Sequence, residues 1–554
     1  MDYMKLADIL YPNIDKTINY YLTNTQKRTL PEGAEVTRIA PSPTGFLHTG
    51  HLYGALIDYL TAYKTNGVYY MRLEDTDQKR EIEGAGQVAY DMLSVYGARP
   101  TEGYRGDNEP PIGSYGPYVQ SERLPIYHAF AKYLVSIGRA FPCFCEKSES
   151  KQDILARRTE QLENSDDIET KDPCRKLTFE QIEANINAGK KFALRLLSQG
   201  DAEKTFDFED LIKGKRQIRE NTKDIVLIKS NGIPVYAFAH LVDDTLMGTT
   251  IVVRGEEWYP SLSAHLELFD AFEFPYVKYA HTPVICKLDE DGNKRKLSKR
   301  KDPEADVRYF LKKGYPRVAV IEYLINLLNS DFEIWRNANP TLDYHEFDFN
   351  ISKISLNNPM FDMDKLDNVS KNIICLWTAE KVYNETLAWA LEYDEEFAKI
   401  LTTNKNKALS LLAVERGNER PRKDIVNFSM VKDLYSYMFD ETLNKDSLLC
   451  FNEKFDKETI KSFLTAYKSN FSLDGDNSEW FTGVKSIAES CGFCTNNKEY
   501  KANPEAYKGN TADACSILRV AITGREQTPD LFSLLKILGK TEVENRIDYV
   551  IQNI

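Results

Sequence analysis

Between residues 48 and 63 the apolar side chains Leu52, Ala55, Leu56, Tyr59, Leu60 and Tyr63 recur at helical spacing and define one face of a helix. Upstream, Val36–Ala40 reads as a short strand. The connecting Pro41-Ser42-Pro43-Thr44-Gly45 cannot extend it, because prolines lack a ladder donor and the glycine marks a turn. Gly67 is the expected helix stop, and Val68–Leu73 reads as the next strand. A strand–loop–helix–strand unit implies parallel strands in a doubly wound sheet, with ligands outside the strand C-termini. Between 116 and 224 the pattern changes to helical segments, a charged stretch (Ser148–Lys171) and a mixed segment, which together read as an insertion between two halves of the sheet. Strand-like residues return at Ile225–Ile228, Pro234–Phe238 and Thr250–Arg254. Beyond 302 the chain is mostly helical in pattern, as in Val318–Leu328, and from 371 it is Lys/Asp/Glu-rich without β alternation. Residues 1–35 form a front segment of helix-compatible spacing (Met4, Leu6, Ile9, Leu10), ending in the linker-like Thr29-Leu30-Pro31-Glu32-Gly33.

Composition changes this picture little. The 554 residues exceed one core and imply roughly three or four domains. Apolar residues make up 42% and charged residues 28%, as in ordinary globular proteins. No apolar run approaches the ~20 residues of a membrane helix, and the start MDYMKLADILYPNIDK has neither an apolar signal core nor an Arg-rich transit pattern. A cytoplasmic enzyme without a membrane partner is the expectation. Nine cysteines, an odd number in a long chain, suggest reduced thiols rather than a disulfide framework.

Charge matters locally. The net charge of −13 weighs against broad phosphate contact. Yet Lys294-Arg295-Lys296-Leu297-Ser298-Lys299-Arg300-Lys301 holds six basic residues in eight, with a smaller cluster at Lys213, Lys215 and Arg216. A local basic site in an acidic protein suits a polyphosphate or an RNA end.

His48-Thr49-Gly50-His51 falls in the first turn of the helix. As metal ligands the two histidines lack the companions of a zinc helix. A helix N-terminus at a strand end offers free N–H groups and a positive dipole to phosphate. Gly50 costs the helix about 1 kcal/mol relative to Ala, which a flat ring packed on the backbone would explain. Imidazoles there can donate hydrogen bonds to a phosphorus centre as its charge builds. Asp243-Asp244 resembles an acid/base pair but reads as a structural turn. The P-loop signature is absent, which argues against that class of nucleotide hydrolase. Cys491-x-x-Cys494 has no second pair nearby and reads as structural.

Arg38-Ile-Ala-Pro-Ser-Pro-Thr-Gly-Phe-Leu-His-Thr-Gly-His51 resembles the HIGH signature of class I aminoacyl-tRNA synthetases, in the version of the glutamyl-tRNA synthetase family; glutaminyl enzymes typically carry Pro-Glu-Pro-Asn-Gly there. Met71-Arg72-Leu73-Glu74-Asp75-Thr76-Asp77 resembles the family's Arg-x-Glu-Asp-Thr-Asp, and Lys296-Leu297-Ser298-Lys299-Arg300 is similar to its KMSKS loop. Pro234-Val-Tyr236-Ala-Phe-Ala-His240-Leu-Val-Asp-Asp and Arg254-Gly-Glu-Glu-Trp258 resemble the segments between them. Phe361-Asp362-x-x-Lys365-Leu366 is similar to the segment after the KMSKS loop, and Leu518-Arg519-Val-Ala-Ile-Thr523-Gly524 resembles a motif of the bacterial-type helical anticodon-binding domain.

The resemblance implies a multidomain α/β plus all-α protein: a Rossmann-type doubly wound parallel sheet at 36–115 and 225–290, interrupted by an α/β insertion at 116–224 that binds the tRNA acceptor end. A KMSKS-like and stem-contact region at 291–370 and a helical anticodon-binding domain at 371–554 would follow; residues 1–35 lie outside it. It implies His48, His51, Lys296 and Lys299 as catalytic residues. Thr44, Gly50, Glu257, Trp258, Ser298 and Lys299 would contact ATP, accompanied by Mg²⁺. Arg38, Ala40, Ser42, Glu74, Tyr236, His240 and Arg254 would hold glutamate. Arg254 would pair with the side-chain carboxylate and Glu74 with the α-ammonium group, while His240 departs from the Asn often found at its position. Cys143, Cys145 and Cys174 resemble part of the Cys-x-Cys…Cys-x-His zinc site of some glutamyl enzymes; Lys176 stands at the fourth position, so a zinc site needs another donor. The implied reaction is ATP-dependent formation of glutamyl-adenylate and transfer to tRNA(Glu), with tRNA(Gln) open as a second acceptor, by a monomer. The rivals are a glutaminyl-tRNA synthetase, opposed by the Ala-Pro-Ser-Pro-Thr-Gly loop, and a non-catalytic tRNA-binding paralogue, opposed by intact His48, His51 and Lys299.

Overall fold

The structure, a computed structural model, describes residues 1–77, 79–145 and 173–554. The charged stretch Ser148–Lys171 lies outside the described residues. Two compact units are formed: Met1–Tyr309 with Ile321–Asp362, and Phe310–Val320 with Met363–Ile554.

The first unit holds the described strands: β1 (Val36–Ile39), β2 (Val68–Met71), β3 (Glu102–Gly103), β4 (Ala140–Cys143), β5 (Ala193–Leu196), β6 (Thr205–Asp210), β7 (Gly214–Arg219), β8 (Val226–Ile228), β9 (Ile251–Gly255), β10 (Lys278–Thr282), β11 (Cys286–Leu288) and β12 (Lys294–Lys296). β1, β2 and β3 pair in parallel, as do β9 and β10, with Arg254 opposite His281. Thr250 N donates to Val36 O at 2.9 Å, which sets β9 beside β1. The resulting order is β3-β2-β1-β9-β10, and the chain reverses direction of growth between β1 and β9. Such a switch point opens a crevice at the strand C-termini, which ligands of doubly wound sheets occupy.

Helices α1 (Tyr3–Leu10) and α2 (Ile18–Asn24) come from the front segment. Leu6, Ala7, Leu10 and Tyr11 share one buried core with Tyr127, Phe130 and Leu134, so the front segment is packed into the first unit. Arg28 fastens its end, with a bidentate pair to Glu102 at 2.7 and 2.8 Å and a bond from Nε to Met247 O at 2.8 Å.

α3 (Thr49–Lys64) follows β1, as its periodicity requires. Leu52, Ala55, Leu56 and Leu60 are buried, Tyr59 is half-buried, and Tyr63 is exposed. Gly67 acts differently from a simple helix stop. The left-handed residue is Asn66 (φ 53°), while a Cβ on Gly67 would lie 1.8 Å from the Glu35 carbonyl oxygen. Gly67 therefore permits close approach at the start of β2.

Three sequence expectations are corrected here. Pro234–Phe238 is not a strand, because Tyr236 opens the helix α4 (Tyr236–Leu246), with Phe238, Ala239, Leu241, Val242 and Leu246 buried. The short β-branched and aromatic run disguised the first turn of a buried helix. Asp243-Asp244 lies inside this helix rather than in a turn. In addition, β8 pairs with β5 in the antiparallel sheet β4-β5-β8, not with the parallel sheet. β6 and β7 form a hairpin that carries Lys215 and Arg216.

Among its described residues the second unit is helical and has no strand. One core gathers Ile374, Val382, Phe397, Leu401, Leu411 and Tyr435. Another gathers Phe463, Tyr467, Val484, Ile517, Leu518 and Ile547.

Candidate active site

At the start of α3 the backbone turns around His48. Its Nδ1 accepts the Gly50 N–H at 2.9 Å, so its one proton sits on Nε2. A Cβ on Gly50 would come within 3.1 Å of that Nδ1, which explains the helix-unfavourable glycine. Burial, reinforced by the neighbouring His51 ring and by the positive charges of Lys299 and Lys296, pushes the His48 imidazole down to about 4. His51 is pushed down in the same way by the protein packed around it and by the two lysines, although solvent reaches its edge. Both rings, with centroids 6.2 Å apart, are thus neutral N–H donors at neutral pH.

The basic loop folds over this helix start. Lys299 Nζ donates to the Phe46 carbonyl, and partial desolvation at this contact lowers the ammonium pKa of a side chain that is otherwise exposed. Thr49 Oγ1 donates to Glu304 O at 2.7 Å. Within the loop, Arg295 forms a bidentate pair with Asp302 at 2.6 and 2.7 Å, and Asp302 Oδ2 also accepts Ser298 N at 2.9 Å. Lys296 Nζ pairs with Glu257 at 2.9 Å. That salt bridge and backbone bonding override burial and hold the Glu257 carboxyl below its usual range. Trp258, 40% exposed, packs on Tyr236 with ring centroids 4.4 Å apart. Ser42 and Thr44 are exposed and Ala40 half-buried on the proline-rich loop between β1 and α3.

Across the switch point the side chains are buried. Arg254, at the end of β9, lies over the Tyr279 ring at 4.6 Å. Its Nε donates to His281 Nε2 at 3.0 Å and its Nη1 to His265 Nε2 at 3.4 Å. Its Nη2 is buried without a hydrogen-bond partner, and among the described residues no carboxylate pairs with it. Arg38 differs: its Nε meets Asp244 at 3.4 Å and its Nη1 donates to Val253 O at 3.2 Å. Burial opposes the Arg38 charge, but Asp244 more than offsets it and raises the guanidinium pKa.

His240 is fully buried between these arginines. Its Nδ1 contacts Asp244, its Nε2 lies 3.0 Å from the Tyr279 hydroxyl, and its ring stacks on Tyr236. Burial, partly countered by Asp244, lowers it to about 4. The structure thus commits this side chain to its protein neighbours.

Sequence reading missed what holds the pocket. Asp244 accepts Arg72 Nη1 at 2.7 Å and the Tyr70 hydroxyl at 3.2 Å, while Asp243 accepts Arg123 Nε at 2.7 Å, Gln120 at 2.9 Å and the Tyr127 hydroxyl at 2.8 Å. Arg72 Nη2 in turn donates to Glu74 Oε1 at 2.9 Å. Burial raises the Glu74 carboxyl despite Arg72 beside it. Apart from Arg72 and Glu74, these partners are far apart in sequence, and no local pattern announces them.

Outside the crevice, the Sγ atoms of Cys143, Cys145 and Cys174 lie within 4.8 Å of one another, with Cys145 and Cys174 3.6 Å apart. None of the nine cysteines is in a disulfide. Three thiols suit zinc as soft donors, while a closed tetrahedral site requires a fourth.

Known proteins resemble this chain along most of its length. Residues 35–368 match the family described as tRNA synthetases class I (E and Q), catalytic domain, and residues 428–551 match an anticodon binding domain. A glutamate–tRNA ligase of Acetivibrio thermocellus is 42% identical over 551 residues, covering 99% of each chain. One of Clostridium beijerinckii is 43% identical over 551 residues, again covering 99% of each. The fold resembles a crystal structure of a glutamate tRNA ligase from Elizabethkingia meningosepticum in complex with its amino acid, at TM-score 0.71 and 23% identity, covering 94% of this chain and 99% of that one. With both halves of the crevice in place and full-length relatives on either side, the chain belongs to the glutamate–tRNA ligase family of class I aminoacyl-tRNA synthetases.

Proposed function

We propose that this enzyme activates L-glutamate with ATP and transfers it to the 3′ end of tRNA(Glu), with Arg254 reading the substrate's side-chain carboxylate. The carrying observation is the state of Arg254: a buried guanidinium at the switch point, with an unpartnered Nη2 and no described acid against it. An isolated buried charge is costly, and a bound carboxylate satisfies it in the bidentate geometry that a neutral amide cannot match.

In the first step the α-carboxylate attacks the α-phosphorus of ATP and pyrophosphate leaves. His48 and His51, as neutral N–H donors, stabilise the charge that builds on the phosphorus centre. Lys299 and Lys296 neutralise the departing pyrophosphate, and Gly50 admits the nucleotide to the helix start. Trp258, Glu257, Thr44 and Ser298 border the nucleotide, whose phosphates bring Mg²⁺. Arg38, Ala40, Ser42, Tyr236 and Glu74 orient the amino acid, Glu74 through the α-ammonium group; His240 shapes the pocket from behind Tyr236. The terminal ribose hydroxyl of tRNA then attacks the adenylate carbonyl and AMP leaves.

The insertion at 116–224 receives the acceptor end, 291–370 contacts the stem, and 371–554 reads the anticodon. The three thiols of Cys143, Cys145 and Cys174 would form part of a structural zinc site whose fourth ligand is not Lys176. The enzyme acts as a cytoplasmic monomer. No described helix is long and apolar enough to cross a membrane. Charging assays with labelled glutamate and glutamine, on purified tRNA(Glu) and tRNA(Gln), test the reading. Glutamate should be attached to tRNA(Glu); preference for glutamine overturns the assignment, and the tRNA(Gln) arm decides whether one acceptor or two are used.

A further inference from the structure

Behind Arg254 stands a carboxylate that never touches it. Asp210, at the end of β6, and His281, on β10, are respectively 1% and 0% exposed. Asp210 Oδ2 lies 2.6 Å from His281 Nδ1. On its other side, His281 Nε2 accepts the Arg254 Nε–H at 3.0 Å. Arginine has only donors, so His281 must present a lone pair at Nε2 and carry its proton at Nδ1, where Asp210 accepts it. Asp210 is itself fixed: its Oδ1 accepts Ile212 N at 2.9 Å and Lys213 N at 2.8 Å. The imidazole stacks on Tyr279, the ring on which the Arg254 guanidinium also lies.

We propose that Asp210 and His281 are positioning residues for amino-acid selection: Asp210 sets the His281 tautomer, and His281 then aims the Arg254 guanidinium at the side-chain carboxylate of the substrate.

This rests on the assignment of Arg254 made above. A carboxylate in direct contact would neutralise Arg254 and occupy the fork that the substrate needs. An interposed neutral imidazole orients the guanidinium without competing for it, as outer partners orient metal ligands. Burial alone would raise the Asp210 carboxyl, but its bonds to His281 and to backbone N–H groups hold it below the usual range. The ion is therefore available to fix the tautomer across the working pH range.

Asp210→Asn tests the idea, because the amide can keep the backbone bonds through its oxygen while turning a donor toward His281. The imidazole then moves its proton to Nε2, where it opposes the Arg254 N–H. In aminoacylation with saturating tRNA, the glutamate KM should rise about tenfold or more while the ATP KM holds. Adding His281→Gln to Asp210→Asn should recover much of the loss, since a glutamine oxygen can accept from Arg254 without tautomer control. A purely structural Asp210 would move both KM values together and show no recovery, and that result overturns the proposal. Arg254→Ala separates the two readings. If it raises the glutamate KM and Asp210→Asn does not, the relay fails while the role of Arg254 stands; if it leaves the glutamate KM unchanged, the role of Arg254 fails and the relay with it. Should Asp210→Asn not fold, His281→Phe must raise the glutamate KM roughly fivefold more than His281→Gln; equal values overturn the relay.

Discussion

On the proposed nucleotide side, His51, Lys296, Lys299 and Trp258 are exposed and come from a helix start, the end of β12 with the turn after it, and a 3₁₀ turn. On the proposed amino-acid side, Arg38, Glu74, His240 and Arg254 are buried, on two parallel strands, the loop after β2 and the interior of α4. The chemistry accounts for the contrast. Triphosphate is strongly hydrated and highly charged, and hydrated lysines can follow it as charge moves to the leaving group. Telling a carboxylate from an amide requires desolvated groups, because only there does one unmatched charge or donor weigh enough to reject the wrong ligand.

Breaking the exposed side should therefore cost rate and spare the fold. Lys299→Ala is expected to slow adenylate formation by about 10²–10³-fold, with an unchanged unfolding midpoint. Single-turnover measurement of adenylate checks this, and an unaltered rate removes Lys299 from the mechanism. Breaking the buried side should do the reverse. Asp244→Asn takes the countercharge from Arg72 and Arg38, and the unfolding transition of the first unit should lose about 3 kcal/mol, read from urea denaturation. A loss confined to activity would mean that Asp244 serves chemistry rather than architecture.

The smallest effect is pH dependence. His240 is lowered from 6.5 to about 4 by burial, so between these values the unfolded chain takes up a proton that the folded chain refuses. Its contribution is present above pH 6.5 and is lost as pH falls toward 4. His48 and His265 are shifted in the same direction. The thermal midpoint should decline on acidification through this window, and His240→Asn should make the decline shallower. An equal slope in the variant would assign the acid sensitivity elsewhere.

Legibility in the sequence divides along the same line. The exposed half is written in contiguous stretches: the helical period of α3, the turn residues before it, the histidines at its start and the basic run at 294–301. The structure brings these together through Lys299 on Phe46 and Thr49 on Glu304. The buried half was legible only by resemblance. Arg72 meets Asp244 across 172 positions, and Asp210 meets His281 across 71. No spacing rule reaches that far. Asp243-Asp244 looked like a turn because acids rarely occupy a helix interior without partners, and those partners lie in other elements. Gly67 was read as a helix stop, whereas the nearby Glu35 backbone is what excludes a side chain there.

The central claim is that Arg254 selects glutamate through its side-chain carboxylate. The most direct test is the ratio of kcat/KM for glutamate to that for glutamine, measured on tRNA(Glu) with the native enzyme and with Arg254→Gln. The ratio should favour glutamate strongly in the native enzyme and fall by about 100-fold or more in the variant, mostly through loss of glutamate. A ratio that survives the substitution would contradict the account and place the discrimination outside Arg254.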